Sequence, residues 1–77
     1  MRFIGIDLHS NRFNICFLDE EGNKQRYRFE LVAEDLERFY SLLDHETYVV
    51  VEASTNTFAF TDLIQNKVKQ VLVANTH

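Results

Sequence analysis

The 77 residues carry a formal net charge of −4, 45% of them are apolar, and there are two Gly and no Pro. That length allows one small domain, residues 1–77, and seven Phe with three Tyr supply too much bulky apolar material for a disordered segment. A single Cys excludes an internal disulfide and a cysteine-based zinc site, no apolar run is long enough to span a bilayer, and the acidic balance argues against this chain being the main nucleic-acid clamp, so weak nucleic-acid binding is expected of it.

The start, MRFIGIDL, has no basic stretch leading into a long apolar one, so it does not read as a secretion signal and a cytoplasmic setting is expected. Residues 2–8 form a first strand, nearly continuous in apolar residues, as suits a central strand covered on both faces. A polar turn at 9–11 leads to a second strand over 13–18. Cys16 on that strand is expected to be a buried, inert thiol. Asp19–Asn23 is a second turn, with Gly22 where a positive φ is required. In the third strand, 24–31, Tyr27, Phe29 and Leu31 alternate with Arg26, Arg28 and Glu30. One face of it is therefore wet, and basic residues blunt an edge.

At Ala33 the period changes. Leu36, Phe39, Tyr40 and Leu43 mark one stripe of a helix that runs to about Asp44, with acids in its first turn and no good cap residue before it. A fourth strand, 48–51, runs straight into Glu52. Ser54, Thr55 and Asn56 are cap candidates for a second helix over 57–66, whose inner stripe is Phe60, Leu63 and Ile64. A fifth strand covers 71–74. Helical crossovers make strands one, three, four and five parallel, and right-handed connections give the order 3-2-1-4-5 with both helices on one face. The other face is too apolar to stay wet. The expectation is that more helix follows His77, so that the sheet is truncated after strand five, or that the face is covered by a second copy in a homo-oligomer.

In that order Asp7 and Glu52 sit at the carboxyl ends of neighbouring parallel strands, ~5 Å apart. Two carboxylates so placed repel unless a cation or proton lies between them, and a charge directly after three Val is costly without a partner. Hard oxygen ligands favour Mg²⁺ or Mn²⁺, which suits phosphodiester cleavage or transfer. Asp7 and Glu52 are thus the expected catalytic and metal-binding residues, with further acids to come from beyond His77. His9, Ser10, Asn11 and Arg12 are either a polar turn or contacts to substrate phosphate. Ser54 and Thr55 are helix-cap residues whose helix start lies beside the same site. His45 reads as a surface residue.

These residues give the chain a resemblance to the amino-terminal part of the DEDD transposases of bacterial insertion sequences. The likeness rests on Gly5-Ile6-Asp7-Leu8-His9, on the turn Asp19-Glu20-Glu21-Gly22, on Val49-Val50-Val51-Glu52-Ala53-Ser54, and on Val71-Leu72-Val73-Ala74-Asn75. It implies an α/β domain of the ribonuclease H-like (RuvC-like) fold. It also implies a DNA recombinase in which Asp7 and Glu52 are the first two of four metal-binding acids. Members of the family use DNA and a structured guide RNA as partners. Thr55 stands where the family commonly has Gly and Thr57 where it has an aromatic residue, which questions the loop more than the acids. Two alternatives stay open. One is a nucleotide-binding piece of an actin-, sugar-kinase- or chaperone-like ATPase, although His9 stands where Gly is usual there. The other is a non-catalytic structural or oligomerisation module.

Overall fold

The computed structural model describes residues 1–53 and 57–75. Seven elements follow in chain order: β1 (Arg2–Leu8), β2 (Arg12–Leu18), β3 (Lys24–Glu30), α1 (Ala33–Tyr40), β4 (Thr47–Ala53), α2 (Thr57–Ile64) and β5 (Gln70–Asn75). They build one five-stranded sheet in the order β3-β2-β1-β4-β5. β1 pairs antiparallel with β2 and parallel with β4, β2 pairs antiparallel with β3, and β4 pairs parallel with β5. This is the ribonuclease H-like (RuvC-like) arrangement of five mixed strands. It is the order read from the sequence.

Period-two alternation splits the sheet into two faces. Ile4, Ile6, Leu8, Phe13, Ile15, Phe29, Val49 and Val51 point to one face and are buried there with Phe39 of α1 and Phe60 and Ile64 of α2. Phe13 is the hub. It is fully buried, and its ring centroid lies 5.4 Å from that of Phe29, 4.9 Å from Phe39 and 5.0 Å from Phe60. A single side chain thus ties two strands to both helices, which places both helices on one face.

The opposite face carries no helix from the described residues. Phe3 and Tyr48 stack on it at 5.6 Å, and Phe3, Val50 and Leu72 stay substantially exposed. Cys16 lies on this face in register with Gly5 and is only half-buried. The expectation of a buried thiol fails because the register turns it away from the helices. Likewise β1 has one covered face rather than two.

Turn chemistry fixes the links. At the β2–β3 hairpin the Asp19 carboxylate accepts the backbone N–H groups of Glu21 and Asn23, both at 2.9 Å, and Gly22 adopts φ 86°. Val32 caps α1 without any side-chain bond, as the sequence suggested. Asp35 compensates by reaching back to accept the Glu30 N–H at 2.7 Å. α1 ends at Tyr40 rather than near Asp44. Asp44 instead opens a turn that accepts the hydroxyl of fully buried Thr47 at 2.9 Å. α2 ends at Ile64, which leaves Leu63 44% exposed and gives Val68 the buried place expected of it. Among the described residues no helix is long and apolar enough to cross a membrane.

Candidate metal centre on the open sheet face

β1 and β4 run parallel with Asp7 directly opposite Glu52. β4 is longer than the sequence indicated: it continues to Ala53, so Glu52 is a strand residue and not the first residue of a loop. Its alternation partners are Tyr48 and Val50, which lie on the open face, and Asp7 shares that face with Phe3 and Gly5. Both acids therefore project away from the helical layer, from neighbouring backbone positions ~5 Å apart.

The row continues on both sides. Asn14 of β2 is opposite Asp7, Arg28 of β3 is opposite Asn14, and Ala74 of β5 is opposite Glu52. Read across the sheet, the row is Arg28, Asn14, Asp7, Glu52, Ala74. The row behind it is Arg26, Cys16, Gly5, Val50, Leu72. Gly5 has no side chain, and a Cβ built there would meet nothing within 4 Å. The result is a shallow hollow of about 240 Å³, with Asp7, Asn14 and Glu52 on one side and Cys16 and Val50 on the other.

Among the described residues, His9 is the side chain that bonds to Asp7. Its Nε2 lies 3.1 Å from Asp7 Oδ2, and both side chains are largely exposed. Two residues along an extended chain return to the same face, so the spacing Asp7-x-His9 was the available signal for this contact. The turn itself is closed by the His9 N–H, which donates to the Arg12 carbonyl at 2.8 Å, and the Asn11 carbonyl accepts the Leu31 N–H. Arg12 opens β2 on the open-face side, in register with Glu30. Ser10 lines a separate hollow toward the helices with Leu8, Leu31 and Leu63, and His9 borders that hollow as well. Of the expected turn residues His9, Ser10, Asn11 and Arg12, only His9 bonds to an acid of the pair among the described residues. Ser54 and Thr55 fall outside the described residues. His45 is exposed, with its Nε2 3.3 Å from the Asn66 carbonyl.

Asn14 was not singled out by the sequence reading. Its signal is a polar residue inside the apolar run of β2 that follows Arg12, at an open-face position. Asp7, Glu52 and Asn14 fit a hard divalent cation in kind, since they offer two carboxylates and an amide oxygen, while Cys16 faces the hollow from the row behind. The set is incomplete in number. Among the described residues no three His, Cys, Asp or Glu side chains gather closely enough to hold a metal.

No protein-family model matches the chain, and no curated protein matches it. The likeness to ribonuclease H-like proteins therefore stands at the level of strand order and direction.

Proposed function

We propose that the chain is part of a nucleic-acid recombinase of the DEDD transposase type, in which Asp7 and Glu52 hold Mg²⁺ or Mn²⁺ for phosphodiester cleavage and strand transfer on DNA. The observation that carries this reading is the register: two acids far apart in sequence are direct neighbours on parallel strands. A ribonuclease H-like sheet is the second support, because that fold hosts nucleases and transposases. Divalent ions in such a site activate a nucleophile and stabilise a leaving oxygen.

Within this reading the chain's own residues have limited roles. Asp7 and Glu52 supply carboxylate oxygens, His9 orients the Asp7 carboxylate, and Asn14 offers an amide beside it. The remaining positions fall to water, substrate phosphate and further acids of the same protein. A structured guide RNA and a second copy of the chain are the partners that the transposase likeness adds.

Titration with Mn²⁺, followed by water-proton relaxation or calorimetry, tests the site. The wild-type chain is expected to bind, and Asp7→Asn and Glu52→Gln are each expected to weaken binding by at least about tenfold, as loss of one charged ligand does. Equal affinity in all three proteins would make the pair structural.

A further inference from the structure

The open face has an acidic row, an apolar centre and a basic edge, and the proposed metal site makes no use of that edge. Lys24, Arg26 and Arg28 occupy consecutive open-face positions of β3, and Arg12 stands beside them at the end of β2. These are four of the chain's eight Lys and Arg residues, in a protein of net charge −4. All four are exposed, and among the described residues none pairs with a carboxylate or lies over an aromatic ring. Glu30 is the one acid on the lane, at its far end opposite Arg12.

From this placement we infer that β3 carries a binding lane for the backbone of a single-stranded nucleic acid. Alternate side chains on a strand repeat every ~6.6–6.8 Å. That is comparable with the separation of successive phosphorus atoms in an extended polynucleotide, so each cation meets one phosphate. Guanidinium groups also suit the geometry, because they grip phosphate oxygens in pairs. One backbone is the fitting partner rather than two. Across the rest of the open face, β1, β4 and β5 present Phe3, Gly5, Asp7, Tyr48, Val50, Glu52, Gln70, Leu72 and Ala74, and no second row of cations to meet a complementary strand.

The lane is level with the acid pair. Arg28 shares the cross-sheet row of Asp7 and Glu52, with only Asn14 between it and Asp7, a distance of about 10 Å for two inter-strand gaps. A strand held on β3 leaves the lane beside the two acids. This goes beyond the proposed metal site and does not depend on it, because the lane is made of different residues and binds without metal.

The test is fluorescence anisotropy of a labelled oligothymidylate with the chain, at low salt and in the presence of EDTA. Weak binding is expected, with a log–log salt slope near −2 for about three phosphate contacts. In Arg26→Gln/Arg28→Gln that slope is expected to fall to about −0.7 and the affinity by tenfold or more. Arg26→Lys/Arg28→Lys should restore most of the binding, and circular dichroism of both variants should match wild type. Three results would overturn the inference. One is binding unchanged in the Gln variant, as when the cations only keep an edge strand from pairing with another copy. Another is preference for a duplex of the same length. The third is a lane that binds polyglutamate but not the oligonucleotide, which would make its partner an acidic protein. Loss of Mn²⁺ binding alone would count against the metal site and leave the lane standing.

Discussion

Asp7 and Glu52 owe their proximity to register, and Gly5 keeps the space beside them open. Glycine in a strand costs about 0.5–1 kcal/mol relative to alanine, so a strand glycine without a backbone need is a candidate for shape. Gly22 has such a need, with its φ of 86°, whereas a Cβ at Gly5 would meet nothing within 4 Å. Gly5→Ala is therefore expected to stabilise the fold by up to about 1 kcal/mol in denaturant titration. The larger Gly5→Val should narrow the hollow and reduce Mn²⁺ binding without unfolding the sheet. A destabilised Gly5→Ala would mean that the strand needs glycine's backbone freedom after all. The two carboxylates themselves repel in the absence of metal, so Glu52→Gln is expected to melt no lower than wild type.

Three links are each secured by one aspartate, the β2–β3 hairpin by Asp19, the entry to α1 by Asp35 and the turn before β4 by Asp44, and these residues contribute to the response to acid. The Asn23 backbone N–H on its carboxylate, helped by further bonds from Asn23, Glu21 and Gly22, holds Asp19 below the ordinary value of 3.8. The Glu30 N–H does the same for Asp35 and the Glu46 N–H for Asp44. A folded-state value below the unfolded one means stability that is complete above 3.8 and is lost as pH falls through the depressed values. Denaturant midpoints should be level above that point and decline below it, and Asp19→Ala should lower the plateau while making the acid decline shallower. An unchanged decline in Asp19→Ala would show that the hairpin does not contribute to it. At this scale the sequence was most legible. The period change at Ala33 and two apolar strands after it were enough to order the sheet. The misses have one physical origin: local pattern does not say which face another element will cover. Leu63 fits an inner stripe by spacing, yet α2 stops at Ile64 and Val68 fills the core. Cys16 lies in an apolar strand, yet its register faces it away from both helices. His9 reads as a turn residue, and although its spacing from Asp7 allows a bond, the spacing alone does not form one.

For the molecule as a whole, one side is a finished core around Phe13 and the other is an open apolar surface. Phe3, Val50 and Leu72 are 44%, 40% and 54% exposed, in adjacent strands. Contiguous apolar surface of this kind marks an interface. Self-association that rises with concentration is expected in sedimentation velocity, and Val50→Lys, at the centre of the patch, should abolish it. A wild-type chain that sediments as a monomer at high concentration would exclude this face as a homotypic contact. The β1–β4 pairing has a consequence for when the site exists. β1, β2 and β3 join through short hairpins, whereas Asp7 meets Glu52 only after the intervening chain has closed a long loop, which costs entropy before any contact is returned. A nascent chain that has released only the meander holds Asp7 without Glu52 and cannot form the paired site. Any cation that bridges the pair binds the native state alone, so it acts as a folding ligand. It would raise the unfolding temperature by mass action in proportion to the logarithm of its concentration.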